Sequence, residues 1–200
     1  FNKAKSGLDI LDRYLDKFGL GKPLYSDVAT EKGGFIPTSD YYSRLYKTDQ
    51  WRSTYIISVG IGQGELQLTT IQMANLAAII ANRGYFYTPH LIRKFNSEQV
   101  DIPEKFRIKN EVPIDKKYFE PVIDGMELAV NSGTATLAFN PEIQICGKTG
   151  TSQNPHGDDH SVFFAFAPKV NPKIALAVYV ENAGWGGLIA APIASLMIEK

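Results

Sequence analysis

Two hundred residues, 44% of them apolar, can bury the core of one domain and lie well outside the composition of disordered chains. Twenty-one basic side chains balance 21 acidic ones, so no broad field argues for nucleic acid or an anionic membrane surface as the main partner. The single cysteine, Cys146, cannot form an internal disulfide, and among apolar neighbours it reads as a small core residue rather than a nucleophile. The longest apolar stretch, Leu188 to Ile198, falls short of the ~20 residues that cross a bilayer, so no membrane-embedded segment is expected. The sequence opens at Phe1, without methionine and already in helical periodicity, and is expected to belong to a longer polypeptide.

In chain order, Ser6 and Asp9 make a capping-box-like start, after which Leu8, Leu11, Leu15 and Phe18 repeat at helical spacing until Gly19 and Gly21. Pro23 to Trp51 is turn-rich and aromatic, with Gly33-Gly34, Pro37 and Tyr41-Tyr42, and predicts a long ordered surface excursion. Ser53 to Val59 reads as a short strand-like run feeding a glycine turn at Gly60, Gly62 and Gly64. A second helix follows over 71–81. Thr69 and Gln72 form its capping box, its apolar residues run nearly all round, which predicts burial, and Gly84 stands at C′.

A polar connection from Asn96 to Asp115 leads to a helix from about Lys116 to Asn131, facing the core with Phe119, Val122, Ile123, Met126 and Val130 and ended by Asn131-Ser132-Gly133. Three strands, Glu142 to Ser152, His160 to Pro168 and Lys173 to Asn182, are joined by turns short enough to favour antiparallel neighbours. Leu188 to Glu199 closes the chain as a helix with Pro192 early in it, apolar enough to lie on the sheet. The fold class is α/β, an antiparallel sheet packed with helices.

The stretch "EIQICGKTGTSQ", residues 142–153, carries the most chemistry. Gly147-Lys148-Thr149 ends like a phosphate loop, but the first loop glycine would fall at Glu142, and a β-rich run replaces the glycine arc. The dinucleotide fingerprint fails similarly, since Gly60-x-Gly62 meets Glu65 where a third glycine belongs. His90, His156 and His160 lack ligand spacing and read as surface or turn residues, so no metal or other cofactor is implied.

Extended, the stretch puts Lys148 and Gly150 on one side and Thr149 and Thr151 on the other. Chemistry alone leaves two readings open. In one, an extended peptide bearing a carboxylate pairs along the edge. Lys148 then supplies charge, Thr149 and Thr151 hydroxyls, Gly150 close backbone approach, and the Thr151 N–H an oxyanion donor. In the other, Lys148 is a gatekeeper that protects a sheet edge.

The segments "YLDKFGLGKPLYSDVATEKGGFIP", "VGIGQGELQLTTIQMANLAAIIANRGYFYTPHLIR", "NSGTA", "GKTGTSQ" and "FFAFAP" occur in an order and spacing that resembles the transpeptidase domain of the class B, elongation-type penicillin-binding proteins, the penicillin-binding protein 2 group. The resemblance covers nearly all 200 residues. It implies a penicillin-binding/β-lactamase-like transpeptidase fold, of which residues 1–200 would be the C-terminal portion of a single domain. The remaining strands of the sheet and the nucleophile-bearing helix would precede Phe1. It implies a serine acyl-enzyme reaction that cross-links peptidoglycan stem peptides at D-Ala-D-Ala and is blocked by β-lactams. In that reaction Lys148 would help bind the terminal carboxylate and tune proton transfer, and Thr149 and Thr151 would hydrogen-bond the carboxylate. Gly150 would admit the acyl chain, and the Thr151 N–H would be one of two oxyanion donors. The implied partners are the stem peptide, β-lactam antibiotics and cell-wall elongation proteins, at the periplasmic face of a bacterial cytoplasmic membrane on an N-terminal anchor.

No serine here is followed three residues later by lysine, and the one Ser-x-Asn, Ser152-Gln153-Asn154, directly follows Lys-Thr-Gly instead of lying upstream. The chain is therefore expected to hold a substrate-binding wall without a nucleophile. A β-lactamase or D,D-carboxypeptidase shares Lys-Thr-Gly, and a non-catalytic β-lactam sensor or cell-wall scaffold would keep the fold. The "GIGQGELQLTTIQMANLAAI" segment fits the biosynthetic enzymes better than the hydrolases.

Overall fold

The computed structural model describes residues 2–92 and 102–200. The chain divides into two compact units, Phe1–Thr69 with Thr88–Phe106, and Thr70–Tyr87 with Arg107–Lys200.

The first unit opens with α1 (Asn2–Lys17), which starts one turn before Ser6. The capping-box reading of Ser6 is thus corrected. Lys3, Ala4 and Lys5 are good helix formers and carry the helix through Ser6 as an interior residue. Its end is as read. Gly19 is left-handed (φ 73°), and the N–H groups of Gly19 and Leu20 close onto Asp16 O and Leu15 O, each at 3.0 Å.

The stretch from Pro23 to Trp51 is largely solvent-facing, as expected, but it is more than a surface excursion. It contains α2 (Ser39–Tyr46), whose Thr38 hydroxyl accepts the Tyr41 N–H at 3.2 Å. Tyr42 and Trp51 are fully buried and, with Leu8 and Val59, form this unit's core. Aromatic density that reads as a decorated loop is here the source of apolar burial. Ser53–Ile56 and α3 (Ile57–Gly60) are helical turns rather than a strand. No strand pairs with them among the described residues, and an unpaired extended run would leave its backbone groups unsatisfied. Gly62 (φ 77°) and Gly64 (φ 73°) make the expected turn.

In the second unit α4 (Thr70–Ala81) is largely buried, as its all-round apolarity predicts. Its C′ position is Arg83 (φ 57°), not Gly84. The Arg83 and Gly84 N–H groups donate to Ile80 O (3.0 Å) and Ile79 O (2.9 Å). The Arg83 guanidinium, bonded to Ala81 O (2.7 Å) and Glu120 (2.9 Å), helps hold a residue other than glycine in that conformation.

The polar connection, whose residues 96–101 lie outside the described residues, contains β2 (Lys109–Glu111), which pairs antiparallel with β1 (Tyr85–Tyr87). After a 3₁₀ turn capped by Asp115, α5 (Phe119–Asn131) buries Phe119, Ile123, Met126 and Val130. Val122, expected in that stripe, is 47% exposed, because the buried face continues from Phe119 to Ile123 at i+4.

Strands β3 (Cys146–Ser152), β4 (His160–Ala167) and β5 (Ile174–Val180) follow in the order β3-β4-β5, antiparallel as predicted. Helix α6 (Ala190–Glu199) sets Ala190, Ala191 and Ala194 into a core with Phe163, Ala165, Leu176, Val178, Val130 and Ile145. Cys146 is buried as read, and burial, then the Glu127 carboxylate, pushes its thiol up to about 12. Among the described residues no helix is long and apolar enough to cross a membrane.

Candidate functional site

β3 ends the strand order, so its outer side is an edge of the sheet as described. Lys148, Thr149, Gly150 and Thr151 lie opposite Phe164, Phe163, Val162 and Ser161 of β4. Gly147, Thr149 and Thr151 share the face of Phe163, whose ring lies so close over Gly147 that a Cβ there would overlap it. Lys148 and Gly150 take the other face. A Cβ at Gly150 would meet only Val162, at 3.4 Å, so internal crowding does not demand glycine at that position.

Lys148 is exposed, and its ammonium donates to Thr149 O at 2.8 Å. No acidic side chain pairs with it among the described residues, so its charge stands available at the edge. Backbone groups of alternate residues in an antiparallel ladder point away from the paired strand. Thr149 O, within reach of the ammonium, marks the outward phase, which Thr151 shares.

Two loops frame this edge. The Thr134 and Thr149 hydroxyls are 2.9 Å apart, and Gly187 packs directly on Thr134 O. Gly186 packs on the carbonyls of Gly150 and Val162. Buried Ser161 donates to Trp185 O at 3.1 Å and accepts the Ala190 N–H at 3.0 Å, tying this loop to the start of α6. Trp185 itself is 72% exposed.

At the β3–β4 turn, Asn154 Nδ2 donates to Asn182 Oδ1 at 2.6 Å, while the Asn154 N–H donates to Asp159 at 3.1 Å. His160 is a half-buried strand residue rather than a turn residue; it accepts the Asn182 N–H on Nδ1 at 3.0 Å and packs on Tyr179. His156 does lie exposed in the turn, and the His90 ring packs on Phe106. Among the described residues no three His, Cys, Asp or Glu side chains converge as metal ligands.

The sequence reading singled out Lys148 to Thr151 and did not single out Thr134, Ser161 or Gly186-Gly187, which pack around that strand. The signals were small: Gly-Thr inside "NSGTA", and paired glycines just before an apolar helix.

Lys-Thr-Gly is a sequence element of penicillin-interacting serine enzymes, and here it lies on an edge strand of a sheet packed by α6. The sequence profile of the penicillin binding protein transpeptidase domain matches residues 2–199, and the chain belongs to that family. Peptidoglycan D,D-transpeptidase MrdA of Haemophilus influenzae is 32% identical over 212 residues, covering 96% of this chain and 32% of the relative. The chain spans about a third of the length of the curated relatives it matches. Among solved structures, PBP2 of Pseudomonas aeruginosa in complex with WCK 5153 superposes with a TM-score of 0.82 at 31% identity, over 96% of this chain and 42% of that one. The complex of PBP2 with MreC from Helicobacter pylori gives 0.76 at 26% identity, over 96% and 36%.

Proposed function

We propose that this chain forms the carboxylate-binding wall of a peptidoglycan D,D-transpeptidase whose nucleophilic serine lies elsewhere in the same protein. The observation that carries the reading is the Lys148 ammonium, which has no acidic partner among the described residues, on a strand edge beside Thr149 and Thr151. Both compact units are read as parts of one transpeptidase domain, because one family profile runs through both.

In this reading Lys148 attracts the terminal carboxylate of a D-Ala-D-Ala stem peptide, and Thr149 and Thr151 donate hydroxyl hydrogen bonds to it. Gly150 leaves the strand bare for the acyl segment to lie along it. The serine oxygen attacks the penultimate D-Ala carbonyl, the oxyanion points at the outward Thr151 N–H, and the terminal D-Ala leaves with a proton. A neighbouring amine then takes the acyl group. β-Lactams would acylate the same serine. The H. pylori complex supports a cell-wall elongation partner of the MreC kind, and the reaction would take place on the periplasmic face of the cytoplasmic membrane.

In the complete protein, Lys148→Ala should slow acylation by a fluorescent penicillin by about 100-fold with an unchanged circular dichroism spectrum. Wild-type rates in that variant would remove the reading.

A further inference from the structure

We infer that Thr134 is a positioning residue for the Lys-Thr-Gly strand, donating a hydrogen bond to Thr149 Oγ1 and so turning the Thr149 hydroxyl proton toward the substrate carboxylate. This rests on the carboxylate-binding reading above. The two hydroxyl oxygens are 2.9 Å apart, and each hydroxyl has one proton to give. If Thr149 donated to Thr134, it would present only lone pairs to an anion. With Thr134 as donor, Thr149 keeps its proton for the carboxylate. The relay from Thr134 through Thr149 to the anion is then polarised along its length.

The Thr134 backbone is held from two sides. Gly133 packs so tightly on α5 that a Cβ would come 2.7 Å from Ala129 Cα, and the Ala135 N–H donates to Ala129 O at 2.9 Å. Gly187 closes on Thr134 O from the other loop. Ala135 is wholly buried, while Thr134 keeps its side chain exposed at the edge strand. Among the described residues Thr149 is the sole hydrogen-bond partner of the Thr134 hydroxyl. A donor fixed this way costs little ordering when the ligand arrives.

The test compares acylation of the complete protein by benzylpenicillin and by its methyl ester, which lacks the anion. Thr134→Val should slow the free acid about tenfold and leave the ester within about twofold of the unaltered protein. Thr134→Ser should restore the rate with the acid. Equal slowing of acid and ester, or no slowing at all, would overturn the inference and leave the carboxylate wall standing. If the unaltered protein does not distinguish acid from ester, the wall itself fails, and this inference with it.

Discussion

Gly186 lies against Gly150 so closely that a Cβ at position 186 would overlap the carbonyl oxygens of both Gly150 and Val162. The loop before α6 and the edge strand therefore hold each other in register. Gly186→Ala must lift the loop or bend the strand, at a cost of about 1–3 kcal/mol. Urea unfolding of the complete protein should show the lowered midpoint, together with slower penicillin acylation. An unchanged midpoint would mean that the loop is held only loosely.

Two glycines in the second unit should respond oppositely to the same substitution. Gly147→Ala drives a methyl group into the ring of Phe163, which is fully buried, and should destabilise by about 1–3 kcal/mol. Gly125, within α5, has nothing within 4 Å of its would-be Cβ, so Gly125→Ala should stabilise by about 0.5–1 kcal/mol. Thermal melts of the two variants that shift in the same direction would contradict the packing described.

The Cys146 thiol, pushed by burial from 9.0 up to about 12, should stay protonated and inert to a disulfide reagent at pH 8 until the protein is unfolded. The sign for stability follows from proton uptake. Above about pH 9 the unfolded chain loses this proton while the folded chain keeps it. The contribution of Cys146 is thus fully present below pH 9 and is lost as pH rises toward 12. Rapid native-state modification at pH 8 would show that the site opens.

Periodicity located the elements whose burial is one-sided or complete: α4, α5, the three paired strands and α6 all lie within a few residues of their expected bounds. It failed where tertiary packing decides. Tyr42 and Trp51 sit among glycines and prolines that read as loop, and only the folded unit shows them as its core. The β-branched run before Gly60 has no strand partner among the described residues and coils into helical turns, while Lys109-Asn110-Glu111, polar throughout, becomes a strand because Tyr85 to Tyr87 lies beside it. At the site, the alternation of Lys148, Thr149, Gly150 and Thr151 was legible because a strand has period two. The contact of Thr134 with Thr149 joins residues 15 apart across a turn and two glycine-dependent approaches, and no local pattern records it.

The measurement that bears most directly on a binding wall without a nucleophile is peptide mapping of the penicilloyl adduct on the complete protein after one turnover of labelling. One adduct is expected, on a serine outside residues 1–200, with the isolated 200-residue chain unlabelled under the same conditions. A stoichiometric adduct on any serine within residues 1–200 would contradict it.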